Sequence, residues 1–540
     1  MNSKDFRGTL GRATTLALAA LAVSCAFALA PRATHAADRA GAGRVVASIP
    51  PDRGDLALAY LRFDAACAAA PRDTATRERL NRAFDALTAD FFAGRTAAVL
   101  AALARFGCEV EPDDCGLVSF VSSHRVGFEP RIVGRKEGAA VTISCRTLEG
   151  VDGADGLVRA APPEGTVWTL RLADGTIVDA PFAAEATLRL GAGVATGPFE
   201  LALRARDGRA RMVGRGVVLA EGAEALLARF RARLDALVAG GTLDPSTTAS
   251  LAARLAVLAG DAPTTRGATI RLDPARLIAE LDEDLARAER GERPFAAPGE
   301  RWRIVRALGT ELPVRQFVPP PRAEADEPGP LVVAFHGAGG DENMFFDGYG
   351  AGTLLALAKR EGFTVVCPPT VPFGISPTLL ERFLDELAKD VAFDRARVLL
   401  VGHSLGAVTA SRLAVLRPDL VAGAACIAGF TDLAREGRAA PRHVFAARLD
   451  PLFDAPSMRS TVDEARARGQ PLEWTELPHE GHTLVVGEAL PQAIAWLFAL
   501  PPRTAANTKP TASAASTSPM KTGVPAPDAS VASPSPGPTK

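Results

Sequence analysis

Short apolar runs alternate with helix-periodic segments in the C-terminal part of the chain, between residues 301 and 500. The runs at 331–335 and 398–401 each have the length of one buried strand, and 442–450 is interpreted as a further strand that ends in an aspartate. The segment 472–477 alternates apolar and polar positions like a final strand. Strands that alternate with helices favour a parallel sheet covered by helices on both faces. The pattern therefore predicts an α/β domain over 301–500, built on a mostly parallel, doubly wound sheet.

The region before residue 300 has a different pattern, in which helical and strand-like blocks follow one another. Residues 38–115 are helix-periodic, 116–220 contain short β-type runs separated by turns such as Ala-Asp-Gly, and 221–290 are helical again. We expect 116–220 to form a small β-sandwich that packs against the α/β domain and restricts the entrance to its site, so that the N-terminal region is α+β. The stretch 291–300 contains Pro and Gly and is interpreted as a linker into the α/β domain.

The two ends of the chain have the compositions of a leader and a tail. Over 1–37, basic residues precede an apolar stretch and small residues follow it, which is the layout of a secretory signal peptide. This layout predicts export to the periplasm or the extracellular space, with no stable membrane insertion after cleavage. The alternatives are an uncleaved membrane anchor or a lipid attached at Cys25. Residues 501–540 are rich in Ala, Pro, Ser and Thr and are expected to be disordered.

Charge and cysteine content narrow the partners and the compartment. The 540 residues include 61 Lys and Arg against 62 Asp and Glu, a net charge of −1. This balance indicates neither a nucleic acid nor an anionic membrane as a partner. In an exported chain we expect Cys108 and Cys115 to form a disulfide, the alternative being that the N-terminal cysteines stay reduced. Cys367 and Cys426 lie in apolar runs and are expected to be buried free thiols.

A Gly-X-Ser-X-Gly motif at 402–406 is the most informative candidate for chemistry. It follows an apolar run directly and leads into a helical segment, so Ser404 stands at a tight strand-to-helix turn. Gly402 and Gly406 flank the serine because a Cβ at either position would collide with neighbouring backbone. The following helix directs its N-terminal N–H groups at the serine, where they favour developing negative charge. The pattern is typical of a serine that acts as a nucleophile.

Two further polar positions follow Ser404 in the chain order of nucleophile, acid and base that one class of serine enzymes uses. Asp450 ends a predicted strand, and His482 lies in a Gly-His pair after the last predicted strand. We expect His482 to accept the proton of Ser404 and Asp450 to orient the imidazole. Asp454 and His479 lie close by in the sequence and are the alternatives for the acid and the base.

A glycine-rich segment, His-Gly-Ala-Gly-Gly-Asp at 336–341, follows the first of these apolar runs. Together with 357–368 and 393–398, it resembles the α/β-hydrolase superfamily. Within that superfamily the chain is similar to secreted esterases of the polyhydroxybutyrate depolymerase and feruloyl esterase type, and to the small phospholipase/carboxylesterase family. The resemblance covers less than half of the chain. Leu405 departs from it, because the depolymerase group more often has a small residue after the serine.

The resemblance implies a reaction and the groups that carry it out. It implies hydrolysis of a small-molecule or polymeric carboxylic ester through an acyl-enzyme, with no metal and no organic cofactor. In this superfamily the oxyanion hole consists of backbone N–H groups from the glycine-rich loop and from the residue after the serine. Here those residues would be Ala338, or Gly337, together with Leu405.

Aromatic residues near these motifs are candidates for a substrate pocket. Phe345, Phe346 and Tyr349 follow the glycine-rich segment, and Phe373 lies in a Pro-rich loop. We expect them to line an acyl or aryl pocket, the alternative being that Phe345 and Phe346 pack in the core. The short sequence before Asp450 leaves no room for a large lid domain, so a fairly open site is expected.

The functions that compete with an esterase differ in what they require of the same residues. A serine peptidase of the prolyl-oligopeptidase type would share the serine, histidine and aspartate and the oxyanion geometry. A catalytically silent binding module could keep the scaffold without the reaction.

His403, beside the serine, is interpreted as a packing residue and His336 as a hydrogen-bonded anchor of the glycine-rich loop.

Overall fold

The computed structural model describes residues 48–503, except 70–72, 136–138, 152–160, 192, 262–266, 271, 322–327 and 434–438. The predicted signal peptide, Cys25 and the tail from residue 504 onward therefore lie outside the described residues. Within the described part of the chain, no helix is long and apolar enough to cross a membrane.

Helices open the described chain: α1 (Arg53–Ala69), α2 (Thr74–Ala86), α3 (Thr88–Phe92), α4 (Thr96–Val110) and α5 (Cys115–Ser123). Asp73 caps α2 by accepting a hydrogen bond from the N–H of Thr76, which satisfies one of the free donors at the helix start. The Sγ atoms of Cys108 and Cys115 are bonded at 2.15 Å, so the expected disulfide between α4 and α5 is confirmed. Cys367 and Cys426 are buried free thiols, as predicted.

The next block contains the strands β1 (His124–Glu129), β2 (Ile132–Gly134), β3 (Ala140–Thr147), β4 (Val167–Arg171), β5 (Ile177–Pro181), β6 (Glu185–Arg189), β7 (Gly197–Arg204) and β8 (Ala210–Leu219). They form a three-stranded sheet in the order β1-β3-β6 and a five-stranded sheet in the order β2-β8-β7-β4-β5. Alternate side chains such as Ile143 and Leu201 enter one apolar cluster that both sheets share with α5. Residues 116–123, predicted to belong to the sandwich, are instead part of α5.

A second helical block follows, with α6 (Ala223–Ala239), α7 (Pro245–Ala259) and α8 (Pro274–Glu289) around the buried ring of Phe230. The segment 291–300 is not a free linker, which corrects the sequence interpretation. Phe295 is fully buried, its carbonyl accepts a hydrogen bond from the Gln316 side chain at 3.0 Å, and the guanidinium of Arg303 lies over its ring. An aromatic side chain in this stretch therefore packs against the α/β domain.

The C-terminal strands are β9 (Gly299–Ala307), β10 (Thr310–Val318), β11 (Leu331–Phe335), β12 (Thr364–Cys367), β13 (Val398–His403), β14 (Gly423–Ile427), β15 (Arg442–Ala447) and β16 (Leu472–Leu477). They form one eight-stranded sheet in the order β16-β15-β14-β13-β11-β12-β10-β9. β9 pairs antiparallel with β10, and β10 antiparallel with β12, while β11 to β16 run parallel. The predicted mostly parallel sheet is confirmed.

The helices of this domain are α9 (Met344–Asp347), α10 (Tyr349–Glu361), α11 (Thr370–Ile375), α12 (Leu379–Leu387), α13 (Leu405–Leu416), α14 (Ala455–Ala467) and α15 (Val485–Ala499). Successive residues of β11 enter opposite apolar clusters, with Val333 and Phe335 in one and Val332 and Ala334 in the other. A strand buried on both faces needs apolar side chains at every position, which explains its continuous apolar run. The sheet is therefore doubly wound, as predicted.

The loops at the carboxyl edge of this sheet bring the sequence motifs together. The glycine loop (residues 336–341) follows β11, Ser404 follows β13, and Asp450 lies just beyond β15. The histidine loop (residues 478–484) follows β16. Because carboxyl ends of parallel strands meet at one edge, these segments converge although they are far apart in sequence.

Candidate active site

Ser404 lies at a sharp turn between β13 and α13. Its φ of 55° and ψ of −118° are unusual for a residue with a side chain and indicate a strained backbone. A Cβ on Gly402 would lie 2.2 Å from the carbonyl oxygen of Gly406, and a Cβ on Gly406 would lie 1.9 Å from that of Phe335. Both glycines are thus required by close backbone approach, as the motif predicts.

The serine, histidine and aspartate expected from the sequence lie in one hydrogen-bonded row. His482 Nε2 is 2.9 Å from Ser404 Oγ, and His482 Nδ1 is 2.8 Å from Asp450 Oδ2. The other carboxylate oxygen of Asp450 accepts the N–H groups of Leu452 at 2.8 Å and Phe453 at 3.0 Å. With its Nδ1 proton donated to Asp450, the neutral imidazole presents the Nε2 lone pair to the serine hydroxyl.

The two alternative residues lie elsewhere. His479 is exposed and its Nδ1 is 2.8 Å from Glu78 Oε1 on α2, so it does not reach the serine. Asp454 caps α14, where its carboxylate accepts the N–H of Ser457 at 3.0 Å. The geometry therefore favours His482 and Asp450 over their sequence neighbours.

The electrostatics around His482 favour its charged form. Burial by itself lowers the pKa of this histidine, because a charge loses solvation in the interior. The negative charge of Asp450, its hydrogen bond and the nearby carboxylate of Asp85 act in the opposite direction, and the pKa of His482 is raised overall. An imidazolium formed during a reaction would thus be stabilised where it stands.

The glycine loop offers one backbone donor and has already used another. Gly337 N–H donates a hydrogen bond to the hydroxyl oxygen of Tyr349 at 3.0 Å, so it is not free, which corrects its prediction as an oxyanion donor. The N–H groups of Ala338 and Leu405, by contrast, donate no hydrogen bond to any other residue that the structure describes. These two remain the candidates for an oxyanion hole.

His403 does more than the packing expected from the sequence. Its Nδ1 lies 2.8 Å from the Tyr349 hydroxyl, and its Nε2 lies 2.8 Å from the carbonyl oxygen of His482. Because a carbonyl only accepts, His403 carries its proton on Nε2, and the Tyr349 hydroxyl donates to Nδ1. Burial lowers the pKa of His403 well below its ordinary value, which keeps it in this neutral form.

His336 is anchored within the glycine loop as expected. Its Nδ1 lies 2.8 Å from the carbonyl oxygen of Gly337, and its backbone carbonyl accepts the Thr370 hydroxyl at 2.7 Å. Burial lowers the pKa of His336. The side chain therefore shapes the loop and does not face the serine row.

The prediction that four aromatic residues line a substrate pocket is wrong. Phe345 and Phe373 are fully buried, and Phe346 and Tyr349 are only 3% and 2% exposed. Phe373 belongs to the apolar cluster on one face of the sheet and the other three to the cluster on the opposite face. Since the helices that follow the loops turn these side chains inward, the four residues form core and do not line an accessible pocket.

Two other phenylalanines lie beside the site. The ring of Phe453 is parallel to the imidazole of His482 at a centroid distance of 5.9 Å. The ring of Phe91 on α3 occupies the space beside the glycine loop, where a Cβ on Gly339 would lie 2.3 Å from it. Phe91 belongs to the N-terminal helices, which therefore lie beside the site. Ser404 is only 8% exposed.

Helix α2 contributes a part of the site that the sequence did not predict. Asn81 and Asp85 are 1% and 5% exposed and contact the histidine loop. Their signal was present as two polar residues one helical turn apart, flanked by the apolar Leu80 and Phe84.

Among the described residues, no group of three or more His, Cys, Asp or Glu side chains is arranged to hold a metal ion.

Comparison with known proteins bears on the C-terminal region. Residues 331–530 match the model of the alpha/beta hydrolase family. No curated protein matches this chain in sequence.

Solved structures of esterases and related hydrolases align with parts of the chain. An S-formylglutathione hydrolase from Staphylococcus aureus is 14% identical, with 37% of this chain and 96% of that chain covered and a TM-score of 0.32. A feruloyl esterase module from Clostridium thermocellum is 12% identical, with coverages of 39% and 93% and a TM-score of 0.33. A thermostable esterase is 15% identical, with coverages of 68% and 97% and a TM-score of 0.33. Likenesses this distant say nothing about substrate.

The family match and the arrangement of the sheet agree. The matched region begins at β11, and the glycine loop and the serine turn follow the third and fifth strands of the sheet in chain order. The C-terminal region of this chain therefore has the α/β-hydrolase fold.

Proposed function

We propose that this protein is an exported serine hydrolase that cleaves carboxylic esters through an acyl-enzyme. The observation that carries the proposal is the buried row of hydrogen bonds from Ser404 through His482 to Asp450. Each member has the partner that its role requires: a hydroxyl next to an acceptor nitrogen, and an imidazole oriented by a buried carboxylate. The α/β-hydrolase fold supports the same reaction class.

In the proposed reaction Ser404 Oγ attacks the ester carbonyl carbon while His482 Nε2 takes the hydroxyl proton. The carbonyl oxygen becomes an oxyanion, and the free N–H groups of Ala338 and Leu405 would donate to it. His482 then gives the proton to the leaving alcohol, and the C–O bond to that alcohol breaks. A water molecule, deprotonated by His482, releases the carboxylic acid and restores Ser404.

The substrate class follows from the site only in outline. We assign a small-molecule or polymeric ester as the substrate and no organic cofactor, metal or nucleic acid to the reaction. Phe453 and Phe91, which lie beside His482 and the glycine loop, offer apolar surface for an acyl or alcohol group. Export is supported by the leader pattern at 1–37 and by the Cys108–Cys115 disulfide, which an oxidising compartment permits.

A panel of p-nitrophenyl esters and aminoacyl-p-nitroanilides, tested on the wild type and on Ser404→Ala, examines the proposal. We expect ester turnover in the wild type and a loss of at least about 10³-fold in the variant. Faster turnover of the anilides would favour a peptidase. Full ester turnover by Ser404→Ala would overturn the serine mechanism, and a fluorophosphonate that fails to label Ser404 would favour a silent binding module. Export is tested by recovering the protein from outside the cytoplasm and measuring the mass of its N-terminal peptide.

A further inference from the structure

The N-terminal helices contact both loops that carry the proposed active site. α1 faces the glycine loop and the start of α10, and α2 faces the histidine loop. These contacts join residues that are 286 to 400 positions apart in the sequence. The α/β-hydrolase family match begins only at residue 331, so α1 and α2 lie outside it.

Next to the glycine loop, α1 supports a strained turn at the start of α10. Tyr349, Gly350, Ala351 and Gly352 have successive positive φ angles of 50°, 78°, 56° and 80°. Successive N–H groups in such a turn form a concave anion site, and the buried carboxylate of Asp64 occupies it, accepting Gly350 N–H at 3.2 Å and Ala351 N–H at 2.7 Å. This turn aims the Tyr349 hydroxyl at the glycine loop and at His403.

Side chains of α2 hold the histidine loop by the backbone of the loop. Asp85 Oδ2 accepts the N–H of His482 at 2.7 Å, and Asn81 Oδ1 accepts the N–H of Gly481 at 2.8 Å. The Asn81 amide also donates to the carbonyl oxygen of His479 and to a Glu480 carboxylate oxygen, each at 3.2 Å. Three successive peptide groups of the loop are thus tied to one turn of helix.

The fit between α2 and the loop leaves no spare room. A Cβ on Gly481 would lie 2.2 Å from Asp85 Oδ2 and 3.0 Å from Asn81 Oδ1, so only glycine permits this approach. Asp85, Asn81 and Glu480 are all at least nine-tenths buried. Arg77 forms ion pairs with Glu480 and Glu488 at the edge of the contact. Burying the Asp85 carboxylate costs desolvation, which its hydrogen bond to the His482 N–H offsets in part.

We propose that Asp85, supported by Asn81, is a positioning residue that holds the backbone of His482 so that its imidazole stays in line with Ser404. The inference rests on the proposed function, because it needs His482 to be the base. It assigns a role to the N-terminal helical region: the α/β domain supplies the reacting groups, and α2 supplies part of the frame that aligns them. Of the polar atoms of His482, Asp85 binds the N–H, His403 the carbonyl, Asp450 Nδ1 and Ser404 Nε2.

The first test compares Asp85→Ala with Asp85→Asn on a small ester. Alanine removes the acceptor, so kcat should fall about 10-fold or more while KM stays nearly constant, because the base is misplaced and the binding surface is not. Asparagine keeps an oxygen for the His482 N–H. The amide has the shape of the carboxylate, so this oxygen can stay on the His482 N–H. Most of the lost kcat should therefore return in Asp85→Asn.

A matched control separates alignment from helix stability. Asp73→Ala removes the N-cap of the same helix without touching the histidine loop. We expect it to lower Tm and leave kcat unchanged. A loss of kcat in Asp73→Ala equal to that in Asp85→Ala would overturn the proposal, as would wild-type kcat in Asp85→Ala.

A second readout remains valid if Asp85→Ala does not fold. Removing the charge of Asp85 in Asp85→Asn should move the midpoint of kcat/KM against pH to lower pH, by about 0.3 unit or more, because that charge favours the protonated His482. The other titratable or charged groups around the contact, which stay in place, are Asp450, His403, Glu480, His479, Arg77, Glu78 and Glu488. An unchanged midpoint together with unrestored kcat would contradict the proposal. Ester turnover retained by Ser404→Ala would instead mean that the proposed function fails.

Discussion

His403 Nε2 donates a hydrogen bond to the backbone carbonyl of His482 at 2.8 Å, so the residue beside the proposed nucleophile also holds the proposed base. The other nitrogen of His403 accepts the Tyr349 hydroxyl, whose oxygen in turn accepts Gly337 N–H. One chain of hydrogen bonds therefore links the glycine loop, the serine turn and the histidine loop. Such a chain fixes one tautomer at each step and makes the three loops depend on one another.

Tyr349→Phe is expected to weaken both the fold and the reaction. The change leaves the buried Gly337 N–H and His403 Nδ1 without a partner, which costs about 1–3 kcal/mol of stability. Since both loops then lose alignment, kcat should fall between about 10-fold and about 100-fold. Tyr60→Phe removes only a 3.4 Å contact with the N–H of Tyr349 and should have a smaller effect. Equal losses of Tm and kcat in the two variants would contradict this chain of contacts.

The two histidines of the histidine loop should differ sharply when replaced. His482→Ala removes the group that contacts Ser404 and should lower kcat by at least about 10³-fold. His479→Ala removes an exposed contact with Glu78 and should change stability by no more than about 0.5 kcal/mol, with wild-type kcat. Steady-state kinetics on one p-nitrophenyl ester decides between them. The assignment of the base is wrong if His479→Ala loses the activity and His482→Ala keeps it.

The two aspartates after β15 give a similar comparison for the acid. Asp450→Asn keeps the shape but can reverse the hydrogen bond to His482 Nδ1, so kcat should fall by about 10⁴-fold. Asp454→Ala removes the cap of α14 and should cost about 1 kcal/mol of stability with little change in kcat. Thermal unfolding and kinetics, measured on both variants, separate the two effects. A catalytic loss in Asp454→Ala alone would reverse the assignment.

The sequence predicts those parts of the molecule in which the physical requirement that shapes the structure also determines the local residue pattern. The continuous apolar run of β11 follows from burial on both faces, and the glycines around Ser404 follow from backbone approach. The position of Phe345 could not be predicted in the same way, because either a pocket or a core accepts a phenylalanine after a loop. The helices that follow the glycine loop, α9 and α10, decide which way these side chains face.

The contribution of the N-terminal helices was hidden for a different reason. Asp85 is an ordinary helical residue in the sequence, and its partner is 397 positions away. Helical periodicity shows which residues share a face but not what that face meets. Long-range packing of this kind carries no local signal of the partner, so the sequence shows a polar pair on α2 but not that this pair meets the histidine loop.

The pH dependence of activity should reflect the raised pKa of His482. The base acts only when neutral, so kcat/KM should rise with pH, with a midpoint above the ordinary value of about 6.5 for histidine. The same shift affects stability in the opposite direction. Because the pKa is higher in the folded than in the unfolded state, protonated His482 stabilises the fold fully below about 6.5, and this contribution is lost as pH rises through the folded-state pKa. Kinetics and thermal unfolding between about pH 5 and about pH 9, in the same buffers, check both signs.

His482→Gln is the control for this prediction. Glutamine does not titrate, so the part of the Tm change that belongs to His482 should disappear from the variant, while contributions from other groups remain. Burial is the main cause that raises the pKa of Asp85 to about 6. The stabilising proton of Asp85 is therefore lost at lower pH than that of His482, and the resulting fall in Tm comes before the one assigned to His482. A midpoint of kcat/KM below 6.5 in the wild type would mean that burial outweighs Asp450 and that the base is stabilised as the neutral imidazole.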